Sequence, residues 1–339
     1  MTLSLRAFRP VLVILVVLLV FRTAPSARVP EFDAFFAFGD SLADVGNVFV
    51  ATTLLGLDPA APPSVSPHQT YFLGRFSNGP IAFEYLWQQI SGHAPGTPGA
   101  LVPSLLSPVV SPTGAVNFAF GGTGADFETI TPGGFVAPGL RGQIEMLRAG
   151  LGGAQPSPNA LFAIVTGAND YRNDAFVEPA SPFEVVGNIV AGVITLHGMG
   201  ARNIMVVSLP DLGLVPANAA IAPEQSRLTK KHNQLLENAL RQVDHFLTDL
   251  RIIYVDINDV FDQLPASMNT TTPALDVLFP PSELPPGFRM SLCLFIDLAS
   301  CADVPTFDVG LSFLFWDVVH PTTGAHQLIG GHLYDSILQ

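Results

Sequence analysis

Five short apolar runs, each closed by a turn signal, constrain this chain more than any other feature. They fall at 34–38 before Gly39, 115–120 before Gly121-Gly122, 161–166 before Gly167, 203–208 before Pro210-Asp211, and 251–257. Several are continuously apolar rather than alternating, the pattern of parallel strands covered on both faces. Between them, apolar residues recur at helical spacing over 80–90, 183–199 and 224–250, and again in a last segment opening at Pro321. Strands alternating with helices predict an α/β architecture around a parallel sheet of about five strands. Ser77 or Asn78 would cap the first helix. Leu228, Leu235, Ala239, Val243 and Phe246 form the stripe of the longest helix, and Ala325, Leu328, Ile329 and Leu333 that of the last.

Only 13% of the 339 residues are charged, against ~25% in an ordinary soluble domain, and mean hydropathy is +0.41. A polytopic membrane protein is nevertheless excluded. The longest apolar run, 11–21, has eleven residues, and a spanning helix needs ~20. Arg6 and Arg9 precede that run and Ala24, Ser26 and Ala27 follow it, the layout of a secretory signal peptide. Residues 1–26 are therefore expected to be removed, leaving 27–339 as a single secreted or periplasmic domain without a transmembrane segment. A retained N-terminal anchor is the alternative, because Arg22 and Pro25 suit a cleavage site poorly. Taking the three arginines of 1–26 from the 15 basic residues leaves 12 against 28 acidic ones, a net charge of −16. Such a surface repels phosphate backbones, so nucleic acid is not an expected partner, and anionic membranes are disfavoured likewise. In an oxidising compartment Cys293 and Cys301 are candidates for a local disulfide, if geometry permits it. Two thiols without clustered histidines do not make a zinc site. Two Pro-rich stretches, near 94–113 and 265–313, fit neither strand nor helix. They read either as surface decoration or as the wall or lid of a binding site.

Four segments carry chemistry. In Gly39-Asp40-Ser41-Leu42 a serine directly follows the first strand, at the sheet edge where open α/β folds bind ligands. It is not the G-x-S-x-G elbow. In Asp317-Val318-Val319-His320-Pro321 a histidine of suitable pKa stands three residues after a carboxylate able to fix its tautomer. Asn117 to Gly124, with Gly121-Gly122, and Gly167-Ala168-Asn169-Asp170 both follow strands. They offer backbone and side-chain N–H groups of the kind that stabilise a developing oxyanion. Gly121-Gly122-x-Gly124 lacks the dinucleotide spacing, and there is no P-loop or H-E-x-x-H. His326 and His332, six apart on a helix, do not share a metal-binding face. Asp44, Gly46 and Asn47 read as holding the first loop, and Asp170 as fixing a turn.

Each segment alone has a bland explanation, a turn or a cap. In this order they resemble the SGNH (GDSL) hydrolase family, from about residue 35 to the C-terminus. The resemblance implies a flavodoxin-like three-layer α/β/α fold. It implies Ser41 as nucleophile, Asp317 and His320 completing a triad, and an oxyanion hole from the Ser41 N–H, Gly122 (with Gly121 as fallback) and Asn169, with no cofactor. Gly74 to Pro80 and Phe315 to Thr322 resemble a branch of exported esterases labelled phospholipase, lecithinase or haemolysin. In that branch paired cysteines precede the last block, which implies a Cys293–Cys301 bond. The expected substrate is a small-molecule or lipid ester, with an acyl groove lined from the Pro-rich stretches and transient contact with a lipid surface. The alternatives are an acetyl esterase acting on carbohydrate or choline esters and a non-catalytic secreted binding protein on the same scaffold.

Overall fold

The computed structural model describes residues 32–131, 134–172, 178–278, 289–304 and 309–339; the expected signal segment, 1–26, lies outside them. Eight strands are present among these residues: β1 (Ala34–Gly39), β2 (Val102–Pro103), β3 (Ala115–Asn117), β4 (Glu128–Ile130), β5 (Val136–Pro138), β6 (Ala160–Val165), β7 (Asn203–Val207) and β8 (Arg251–Val255). Six of them make one wholly parallel sheet in the order β2-β3-β1-β6-β7-β8. The sheet thus has one strand more than expected. The addition, β2, is two residues long and lies within the first Pro-rich stretch, where it edges the sheet by pairing Val102 with Val116. β4 and β5 form a separate antiparallel hairpin.

β1 shows why the strand sequences are continuously apolar: all six residues are buried. Phe36 and Phe38 enter one hydrophobic cluster, Phe35 and Ala37 the other, because successive strand side chains point to opposite faces. The first cluster is closed by α3 (Leu140–Leu151), α4 (Pro182–Gly198) and α5 (Ala222–Phe246). The second is closed by α2 (Ala82–Ser91) and the last helix, α9 (Thr323–Ile337), which pack on each other. This is a three-layer α/β/α fold. The remaining helices are short: α1 (Asn47–Leu54), α6 (Asn258–Phe261), α7 (Ala274–Leu278) and α8 (Cys293–Ile296).

Local chemistry sets several helix starts differently from the sequence pattern. α2 is not capped by Ser77 or Asn78. The Glu84 carboxylate accepts the Ile81 N–H (3.0 Å) and pairs with Arg75 (2.7 Å). Ser77 and Asn78 instead hold the C-terminal block: the Ser77 hydroxyl donates to the Pro321 carbonyl, and Asn78 accepts the Thr323 N–H. Pro321 is outside α9, whose N-cap is Thr322, accepting from Ala325 N–H. On α5 the buried face is Thr229, His232, Asn233, Leu236, Leu240 and Val243, while Phe246 is exposed.

Candidate active site

Because the six strands are parallel, the segments after β1, β3, β6, β7 and β8 all emerge at one edge of the sheet, and the singled-out residues converge there. Gly39 ends β1 at φ +144°, a backbone region few residues other than glycine adopt. A Cβ there would lie 1.9 Å from the Val165 carbonyl oxygen. That close approach draws β1 against β6 and sets Ser41, almost buried, one turn later. Ser41 and Asn169 line the same cavity, as do Val319 and Pro321 on either side of His320.

The loop is braced by carboxylates and amides. Asp44 accepts four backbone N–H groups, from Gly46, Asn47, Val48 and Gly121. The Asn47 side chain donates to the carbonyls of Asn117 and Ala119, and Asn117 donates to the Ala43 carbonyl. These bonds tie the loop after β1 to the loop after β3. The second loop is tied to the third: Asn169 Nδ2 donates to the Thr123 carbonyl (3.1 Å), and Asp170 accepts the Ala125 N–H. The two glycines differ in their partners. The Gly121 N–H is committed to Asp44, whereas the Gly122 and Ser41 N–H groups have no acceptor among the described residues.

His320 Nδ1 lies 2.7 Å from Asp317 Oδ2. A carboxylate only accepts, so Nδ1 carries a proton, and in the neutral ring Nε2 then keeps its lone pair. Asp317 Oδ1 meanwhile accepts the N–H groups of Val319 and His320, both at 2.7 Å, which closes the turn. A further partner has no counterpart in the sequence pattern: the Tyr71 hydroxyl donates to the same Asp317 Oδ2 at 2.7 Å. Burial first, and then the charge of Asp317, push the Tyr71 phenol well above its ordinary pKa, so it stays a donor.

Described residues of the second Pro-rich stretch pack beside this turn. Cys293 and Cys301 are joined in a disulfide, packed with Tyr71, Met290 and Trp316 in a third hydrophobic cluster. The Trp316 indole donates to the Thr70 carbonyl. Just past Cys293, Phe295 stacks over the His320 ring (centroids 6.1 Å apart, planes 7°), and Phe76 approaches the ring at 5.1 Å.

Burial perturbs other titratable groups beside the site as well. Burial raises the Asp40 carboxyl to about 7, against a hydrogen bond from the Leu42 N–H that lowers it. Burial lowers His326 to about 3. This neutral histidine accepts the Ala82 N–H through Nδ1, fastening α9 to the start of α2. No cluster of metal-ligating side chains occurs among the described residues.

The sequence profile of the GDSL-like lipase/acylhydrolase family matches residues 35–333. The chain belongs to that family. It is a carboxylic ester hydrolase. A GDSL esterase/lipase of Arabidopsis thaliana is 26% identical over 88% of each chain. The thermolabile hemolysin of Vibrio parahaemolyticus is 24% identical over 88% of this chain and 62% of its own. An acetylxylan esterase structure from Geobacillus stearothermophilus covers 91% of this chain, and 95% of its own, at 13% identity and a TM-score of 0.43. No helix among the described residues is long and apolar enough to cross a membrane.

Proposed function

We propose that this GDSL hydrolase is an exported serine esterase, a single domain after residue 26, that cleaves lipid-type carboxylic esters with Ser41, His320 and Asp317. The observation that carries the reading is the Asp317–His320 hydrogen bond, which leaves Nε2 as the free basic nitrogen beside the cavity that Ser41 lines. In this scheme Nε2 takes the Ser41 hydroxyl proton as Oγ attacks the ester carbonyl, and Asp317 stabilises the imidazolium that results. The new C–O bond pushes charge onto the carbonyl oxygen. The Ser41 and Gly122 N–H groups and the second amide hydrogen of Asn169, whose first is held by Thr123, receive that charge. Collapse expels the alcohol, protonated by His320, and water repeats the cycle on the acyl-enzyme. The Cys293–Cys301 bond supports export, since such bonds persist in oxidising compartments.

The test uses p-nitrophenyl esters and a fluorophosphonate probe on purified protein. Wild type should hydrolyse the esters and be labelled at Ser41, and Ser41→Ala should do neither. Asn169→Ala should lose ~10²–10³ in kcat while keeping its fold. Wild-type rates in Ser41→Ala would end the proposal.

A further inference from the structure

The cavity bordered by Ser41 and Asn169 continues well beyond them. It follows the carboxyl edge of the sheet past Val207 at the end of β7 to Ile257 and Phe261 beyond β8. In the sheet order β1-β6-β7-β8 these ends are three steps apart, about 14 Å at ~4.8 Å per step. The space open to the centre of a water-sized group is about 100 Å³. Drawn out over that length, it is a channel the width of one hydrocarbon chain. Its wall is mostly apolar, with Phe83 from α2 and Leu333 from α9 on one side. Two polar side chains along the wall are bonded to protein groups, whereas the His326 Nε2, also on the wall, is buried without a partner among the described residues. Ser208 donates to Asp256, and Asp211 accepts from the Gly213 N–H and the Ser226 hydroxyl. A channel of this length is unusual in an interior that otherwise packs like a crystal. Among the described residues neither Pro-rich stretch lines it, which corrects the expectation of an acyl groove built from them.

We propose that this channel holds the acyl chain of the substrate, and that it selects medium-length chains of about eight to twelve carbons. The inference rests on the serine-esterase reading and adds the substrate class. Direction follows from the chemistry. The leaving oxygen must be protonated by His320, so the alcohol lies toward that ring, whose neighbours Phe76 and Phe295 are not channel residues. The acyl carbon stays bonded to Ser41 Oγ and must extend the other way. Length follows from geometry: a zigzag of ~1.52 Å bonds at ~111° advances about 1.25 Å per carbon, so ~14 Å takes about eleven carbons. Each methylene seated there should raise kcat/KM up to about fourfold, from the ~0.8 kcal/mol of a buried CH₂.

The experiment is a series of p-nitrophenyl esters from acetyl to palmitoyl, assayed on wild type, Val207→Phe, Phe261→Ala and Ser41→Ala. Wild type should peak at octanoyl to dodecanoyl, at least tenfold above acetyl in kcat/KM. Val207→Phe plugs the channel about 10 Å from β1, two strand steps at ~4.8 Å, and should cut the decanoyl-to-butyryl ratio at least tenfold. Phe261→Ala opens the far end and should move the peak to longer chains, an outcome that an unfolded Val207→Phe would leave readable. An acetyl-preferring wild type whose profile neither variant changes would overturn the channel and leave the esterase reading standing. Undiminished hydrolysis by Ser41→Ala would instead overturn the esterase reading itself.

Discussion

Replacing Asp40 with asparagine should make the protein more stable at pH 8 and hardly change it at pH 4. The Asp40 carboxyl is 2% exposed, and burial raises it from the ordinary 3.8 to about 7. Asp170 adds a little to that rise, whereas His320 and the Leu42 N–H oppose it. Between pH 4 and 7 the folded protein therefore keeps a proton that the unfolded chain has released. A state that binds more protons loses ground as they become scarce, so stability is full below about pH 4 and falls as pH rises toward 7. The gap between 3.8 and about 7, at ~1.36 kcal/mol per pH unit, comes to about 4 kcal/mol. Asparagine keeps an oxygen to accept from Leu42 and never ionises, so the variant escapes this loss. Asp44 and Asp170, both raised to about 6 by burial, remain in both proteins and cancel from the comparison. Thermal unfolding followed by circular dichroism at pH 4 and pH 8 reads the difference. At roughly 2 °C per kcal/mol, the variant should gain about 8 °C on wild type at pH 8 relative to pH 4. A difference in midpoint that is the same at both pH values would refute the reasoning, because no buried ionisation would then be at stake.

Tyr71→Phe removes one of four donors from Asp317. It should lower stability by the ~1.5–3 kcal/mol of a hydrogen bond to a charged group and reduce kcat with KM unchanged, checked by urea unfolding and steady-state kinetics. Gly39→Ala meets both a left-handed backbone and a carbonyl oxygen at 1.9 Å; a cost above ~4 kcal/mol is expected, leaving little folded protein by circular dichroism. Cys301→Ser opens a bridge between residues eight apart and should cost about 2.5 kcal/mol in urea unfolding. Wild type in reductant should show the same loss.

The strands and the two ends of the site were legible because each has a local signature. β1 announces itself as an apolar run stopped by glycine, and the turn at Asp317–His320 closes through bonds only two and three residues long. β2 had no such signature: two residues in a Pro-Ser setting carry no period, and only Val116 across the sheet makes them a strand. α3 carries a signal too, Leu140, Ile144, Leu147 and Leu151 at helical spacing, set in a segment flanked by glycines and prolines. The stripe on α5 was misplaced because the apolar letters lie beside the true inner face. Thr229, His232 and Asn233 turn inward there, where the Leu212 and Leu209 N–H groups bond to Thr229 and Asn233 and the Tyr171 hydroxyl to His232. Tyr71 was invisible for a different reason. It sits 246 positions from its partner, and no spacing rule connects the two.

That separation also sets a timetable. Tyr71 with Asp317, Trp316 with Thr70, Ser77 with Pro321 and Asn78 with Thr323 all bridge about 245 positions. Closing so long a loop costs about 2 kcal/mol more than closing one of twenty residues, and contacts this distant form slowly. The turn that carries Asp317 and His320 therefore docks only when residues 70–78 are in place to receive it. The position of His320 thus depends on some of the slowest-forming contacts in the molecule, and a species with the sheet formed but these contacts missing would lack an ordered Asp317–His320 turn.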